Sequence, residues 1–190
     1  MGEAARTSIL SRRWRIVDIF SGSSEFDGSE TLFEIEWRRK SLEFERTRFV
    51  SWVNQILRSH QGPSVDELKV CFDMDKQSYK CDIDNWIVFA IQKNIRKLEF
   101  DFRTNTGDVR RDLYTFPVRL LEISNLGFLT SQLLANVNVT GEFLEYLLSH
   151  IPFLEVISVK LSPVLVSLNV SGPSLKYLIR DTPLLQFGKS

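Results

Sequence analysis

The sequence predicts an α/β fold, an irregular leucine-rich-repeat solenoid with parallel strands on one face and helices on the other. Two observations predict it. First, Ile83, Trp86, Ile87, Ala90 and Ile91 follow i, i+3, i+4, i+7 and i+8, one apolar helical stripe. Asp82 or Asp84 is placed to cap its start, and Asn94 to take the left-handed turn that ends it. The period then switches to two, with Leu98, Phe100 and Phe102 on one face and Glu99, Asp101 and Arg103 on the other. Second, this helix feeding a strand of the form LxxLxL recurs. Val65 to Phe72 repeats it, and so does Leu154 to Leu161, preceded by a helix with Thr140 as cap and Phe143, Leu144, Leu147, Leu148 and Ile151 along its stripe. Two further copies, at Leu165 and Leu175, lack room for a helix, and weaker ones start at Val118 and at Leu129, where Gln132 takes a leucine position. Starts at 65, 95, 118, 129, 154, 165 and 175 give spacings of 30, 23, 11, 25, 11 and 10 residues. Leucine-rich coils run to about 20–29 residues; the long steps hold a helix and the short ones only a turn.

Ahead of the repeats, Glu3 to Arg15 reads as a short basic helix carrying Arg6, Arg12, Arg13 and Arg15. Phe20 to Thr31 is rich in Ser, Gly and Asp, the composition of a flexible linker. Thr31 to Lys40 alternates Leu32, Phe33, Ile35 and Trp37 with Glu34, Glu36 and Arg38, which predicts a strand or extended segment. Phe44 to His60 is helical, with Phe49, Trp52, Val53, Ile56 and Leu57 on one stripe, and Gln61-Gly-Pro63 stops it. A terminal coil needs a cover, and this helix is expected to close the first open end of the solenoid. Three regions follow: residues 1–19, residues 20–43 as linker and extended segment, and residues 44–190 as the repeat domain.

Composition narrows the function classes. The 190 residues suffice for one sizeable core, and 43% hydrophobic with 25% charged residues is ordinary for a globular chain. A net charge of +0 removes the long-range attraction that non-specific binding to nucleic acid or an anionic membrane relies on. No apolar run approaches the roughly 18 residues of a membrane span, and Met1 to Leu10 lacks a signal-peptide core. Two cysteines, Cys71 and Cys81, make no disulfide framework, so reduced thiols in the cytoplasm or nucleus are expected. Asn138-Val-Thr140 and Asn169-Val-Ser171 fit the glycosylation acceptor pattern, but each falls where a coil needs a polar turn or strand-edge residue.

The tests for chemistry are negative. No glycine-rich phosphate loop, Gly-x-Ser-x-Gly elbow or His-Glu-x-x-His pair occurs. His60 and His150 fall at helix C-termini, where a cation suits the dipole and a carbonyl can bond the ring. With Cys71 and Cys81 they lack the close pairs of a zinc site, and neither metal nor cofactor is expected. Asp73, Asp75, Asp82 and Asp84 gather carboxylates in a loop expected between Met74 and Asp84, without the glycine and terminal glutamate of a calcium hand. Cys71 sits at an outward strand position, expected to be exposed, with no histidine near in sequence to activate it.

Ala4-Ala-Arg-Thr-Ser-Ile-Leu-Ser-Arg-Arg-Trp-Arg15 closely resembles the last helix of the plant F-box motif, in which Thr-Ser-Val-Leu-Ser-Lys-Arg-Trp-Arg is typical. The blocks around Trp52, around Trp86 and from Asn136 to Glu155 resemble, in the same order, the plant F-box/leucine-rich-repeat family, whose members often carry a C-terminal FBD segment. The resemblance covers most of the chain. It departs at Met1, which leaves no room for the Leu-Pro segment and first helices of a full F-box, and at Ser190, which comes before any FBD segment, as in a fragment or shortened isoform.

The resemblance implies a non-catalytic adaptor that presents protein substrates to a Skp–cullin–F-box ubiquitin ligase. Ile9, Leu10, Arg12, Arg13 and Trp14 would be the remnant facing the Skp-type linker. Outward strand positions would meet the substrate: Lys69, Cys71, Glu99 and Asp101 on the earlier coils, and Ser158, Lys160, Asn169 and Tyr177 on the later ones. Their mixed charges and small polar groups suit a protein better than a polyanion. The alternative is an interaction scaffold, or a remnant, that no longer engages the ligase.

Overall fold

The computed structural model describes residues 15–17, 23–38, 41–74, 76–103, 113–119, 127–165 and 173–181. Among these, seven strands form one sheet in chain order: β1 (Arg15–Val17), β2 (Ser23–Asp27), β3 (Glu67–Cys71), β4 (Lys97–Asp101), β5 (Ser131–Ala135), β6 (Val156–Lys160) and β7 (Tyr177–Asp181). β1 runs antiparallel to β2, and the six strands from β2 to β7 are parallel. Four helices are described: α1 (Ser29–Arg38), α2 (Leu42–Ser59), α3 (Lys76–Gln92) and α4 (Gly141–His150).

Period-two alternation makes the inner sheet face. Phe26, Val70, Phe100, Leu134 and Val159 lie in one cross-strand row, and Ser24, Leu68, Leu98, Gln132, Ile157 and Leu178 in the next. The helices press their apolar stripes on this side, so that Phe49, Trp52, Ile83, Trp86, Phe143 and Leu147 share one core with it. Trp52 meets Phe26 edge-on at 5.2 Å, and Phe49 stacks on Phe72 at 4.4 Å. Gly28 is what lets those two rings close up, since a Cβ there would collide with the Phe72 ring.

Backbone bonds repeat from one strand start to the next. The Asp66 carbonyl accepts the amides of Arg96 (3.0 Å) and Lys97 (2.9 Å); the Arg96 carbonyl accepts Thr130 (2.9 Å) and Ser131 (3.1 Å). Thr130 and Glu155 do the same for Glu155 and Val156 and for Lys176 and Tyr177. Asn94 ends α3 at φ 54, with the Ile95 amide on the Ala90 carbonyl (3.2 Å) and the Asn94 amide on that of Ile91 (3.1 Å), a Schellman closure. Thr140 caps α4 by accepting the Phe143 amide at 3.2 Å, as the sequence predicts.

Several expectations are corrected. The residues read as linker contain β2, seated parallel on β3, where Ser24 and Phe26 take the inward positions that leucines hold elsewhere. The predicted extended segment after it is helix α1: Leu32 and Ile35, three apart, are both buried, and Asp27 bonds the Ser29 amide at 2.8 Å. Arg15, expected to end a helix, lies in β1. The helix from Phe44 is α2, but it packs beneath the sheet in the crossover from β2 to β3, and the first sheet edge belongs to β1.

Helix α3 starts at Lys76, so Asp82 and Asp84 are helical and not in a loop. Asp82 accepts the Asn54 amide group at 2.6 Å, and Asn54 in turn accepts the Trp86 indole N–H at 2.7 Å; these bonds tie α2 to α3. β4 pairs directly with β5, and β6 with β7, so the copies at Val118 and Leu165 supply no strand between them. Val118 and Arg119 are helical. Residues 120–126 and 166–172 lie outside the described set.

Two substitutions test the packing. Trp52→Asp puts an unpaired charge in the aromatic core and is expected to cost about 4 kcal/mol or more, read as loss of the cooperative thermal transition. Gln132 is 1% exposed between Leu98 and Ile157 in its cross-strand row, and its Oε1 has no hydrogen-bond partner. Gln132→Leu is expected to raise stability by about 1–3 kcal/mol in urea denaturation, because it removes a buried unpaired carbonyl.

Candidate protein-binding face

The sheet face away from the helices carries the outward side chains. One cross-strand row reads Glu25, Lys69, Glu99, Leu133, Ser158, Ile179, and the next Asp27, Cys71, Asp101, Ala135, Lys160. Lys69 stands between two carboxylates, 3.0 Å from Glu25 and 3.7 Å from Glu99. Burial lowers its ammonium pKa, and the hydrogen bond to Glu25 with the charges of Glu99, Glu25 and Asp27 more than restores it, so the net shift is upward. Burial pushes Glu99 upward; Lys69 opposes this, while Asp101, Glu67 and Glu25 add to it. Asp101 receives Arg103 at 2.6 Å and the Asn136 amide group at 3.0 Å. Asp27 is held below the usual carboxylate range despite burial, because the Ser29 hydroxyl (2.6 Å) and amide bond it.

The expected substrate-facing residues divide. Lys69, Glu99, Asp101 and Lys160 are partly exposed on this face, and Tyr177 is 63% exposed. Cys71 is not accessible: it is fully buried between Asp27 and Asp101 in its row. Burial, then the charges of Asp101 and Asp27, push its thiol up to about 12. Ser158 is 3% exposed, a small side chain between Leu133 and Ile179 in the cross-strand row. Outward parity therefore did not mean exposure for the two small residues. Asn169 and the linker-facing set Ile9, Leu10, Arg12, Arg13 and Trp14 lie outside the described residues. The sequence reading missed Glu25 and Asp27, which it placed in a linker, and Leu133, hidden beside Leu134. The alternation of Ser24 and Phe26 with Glu25 and Asp27 was the available signal.

The remaining polar groups belong to the framework. Arg46 and Asp73 form a buried pair at 2.6 Å, and Arg46 also bonds the Asp73 carbonyl at 3.0 Å. Burial lowers the Arg46 pKa, but Asp73 and then Glu43 outweigh it and raise it. Tyr146 stacks on His150 at 4.1 Å, and the His150 Nδ1 lies 3.1 Å from the Tyr146 carbonyl. Asn138, in the first stretch that fits the glycosylation pattern, donates to the Leu113 carbonyl at 3.3 Å, a structural use. His60, Cys71, Cys81 and His150 lie on four separate elements. Among the described residues no group of three or more His, Cys, Asp or Glu could hold a metal ion. A hollow of about 180 Å³ between α2 and α3 is lined by Asn54, Leu57, Arg58, Asn85, Trp86 and Phe89, and Asn54 there is engaged by Asp82 and Trp86. No helix among the described residues is long and apolar enough to cross a membrane.

A parallel sheet of short strands whose inner rows are leucine-like, backed by helices, is compatible with leucine-rich-repeat proteins, and relatives carry that name. The Arabidopsis thaliana F-box/LRR-repeat protein At3g03360 is 30% identical over 117 residues, which is 58% of this chain and 21% of the relative. The Arabidopsis F-box/LRR-repeat protein At3g58900 is 33% identical over 119 residues, 60% of this chain and 32% of the relative. This chain is related to plant F-box/LRR-repeat proteins. It spans about a fifth to a third of the length of those F-box/LRR-repeat relatives. No protein-family model matches it. No solved structure matches it.

The two thiols should report the face's geometry. Cys81 is exposed on α3 and Cys71 is buried, so one thiol per chain is expected to react with a disulfide reagent near neutral pH, and the second only after denaturation. Fast reaction of both would place Cys71 at the surface.

Proposed function

We propose that this F-box/LRR-repeat relative is a protein-recognition module, the substrate-binding part of an adaptor for a Skp–cullin–F-box ubiquitin ligase. Its coils form an irregular leucine-rich solenoid whose outward strand face takes the substrate, and catalysis belongs to other subunits. The observation that carries this reading is the in-register outward face, where parallel strands from β2 to β6 set Glu25, Lys69, Glu99, Leu133 and Ser158 side by side. Such a ladder offers one continuous surface, which suits recognition of another protein. The relatives' shared F-box name supports the ligase connection, and the Arg6-Thr-Ser-Ile-Leu-Ser-Arg-Arg-Trp14 string supplies residues for it.

In this reading Ile9, Leu10 and Trp14 pack on the Skp-type linker, and Arg12 and Arg13 flank the contact. Lys69, Glu99, Asp101, Lys160, Tyr177 and Asn169 meet the substrate. Pull-down of a purified Skp-type linker by the full chain tests the ligase connection. Retention is expected, with Trp14→Ala and Leu10→Asp each weakening it about tenfold or more. No retention by the unsubstituted chain would leave an interaction scaffold outside the ligase.

A further inference from the structure

The outward face changes character along its length. On β2, β3 and β4 it carries the carboxylates Glu25, Asp27, Glu67, Glu99 and Asp101. The cations set among them in the described residues are Lys69, shared by Glu25 and Glu99, Lys97, 4.0 Å from Glu67, and Arg103 on Asp101, with Arg15 of β1 in register with Asp27, four cations against five carboxylates. Negative charge is therefore in surplus, and Glu99 sits where burial and three neighbouring carboxylates disfavour its ionised form. On β5, β6 and β7 two rows of the same face turn apolar, with Val156 paired to Tyr177 and with Leu133 and Ile179 flanking Ser158, while the row beyond them keeps Lys160, paired with Asp181. Tyr177 and Ile179 are 63% and 48% exposed. Amid these groups the Ser158 Oγ is buried without a hydrogen-bond partner.

We propose that this face binds an extended segment of a partner polypeptide in which an apolar side chain is followed by Lys or Arg. The apolar side chain covers Leu133, Val156 and Ile179, and the cation sits among Glu99, Glu67 and Asp101. Strands lie about 4.8 Å apart, so β7 to β4 is about 14 Å, the reach of about four extended residues. A cation there offsets the surplus carboxylates. The same carboxylates oppose phosphate groups, which argues against a nucleic acid in this position. The proposal rests on the outward strand face being the recognition surface, and it adds the chemistry of what is recognised.

A random-peptide display library selected on the full chain tests it, with resynthesised peptides titrated by fluorescence anisotropy. Selected peptides are expected to pair an apolar residue with Lys or Arg about four positions away. Ile179→Asp should weaken them about tenfold, and Glu67→Gln with Glu99→Gln about fivefold, less at high salt. Circular dichroism confirms folding, and Tyr177→Ala serves if Ile179→Asp does not fold. Peptides lost with Ile179→Asp but indifferent to the two Glu→Gln changes, or acidic in composition, overturn the basic partner and leave the face as the binding surface. Peptides indifferent to every variant overturn the face reading as well, and no enrichment overturns the proposal.

Discussion

The carbonyl oxygens of Asp66, Arg96, Thr130 and Glu155 each accept two amides from the start of the next strand, and register follows from these bonds. In a parallel sheet a slip of one residue would turn every inward side chain outward. With the start of each strand pinned, Leu68, Leu98, Gln132 and Ile157 fall into one row although the stretches between them differ in length. Strands begin at 23, 67, 97, 131, 156 and 177, giving steps of 44, 30, 34, 25 and 21 residues. The longest step holds α1 and α2, and the steps from β3 to β4 and from β5 to β6 hold α3 and α4. The crossover can vary because it does not set the register.

That constraint explains what could be read from the sequence. Where the inward positions are leucine-like and a helical stripe leads in, as at Leu98 with α3 or Ile157 with α4, strand, helix and parity were all legible. β2 was not, because Ser24 and Phe26 carry its inward row and its Ser, Gly and Asp content matches that of a loop. The copy at Val118 misled for a physical reason. Apolar residues three apart satisfy a helix as well as the start of LxxLxL, and Val118 and Arg119 are helical. Parity predicted the side of the sheet for Cys71 and Ser158 but not their accessibility, since a small side chain is overtopped by the larger ones that register places beside it.

The two faces of the sheet divide the polar groups by role. Under the sheet and among the helices, Arg46 with Asp73, Asn54 with Asp82 and Trp86, and Tyr114 with Asp84 join elements distant in sequence. Removing one partner of a buried pair leaves the other uncompensated, so changes there act on stability. On the outward face the ion pairs are solvated and shared, as with Lys69 between Glu25 and Glu99, and such pairs are worth little to folding. The fold therefore tolerates both the charged and the apolar rows of that surface without depending on the ion pairs there. The exposed positions of that surface, on which folding places few demands, are free to vary while the strands and helices beneath them stay the same.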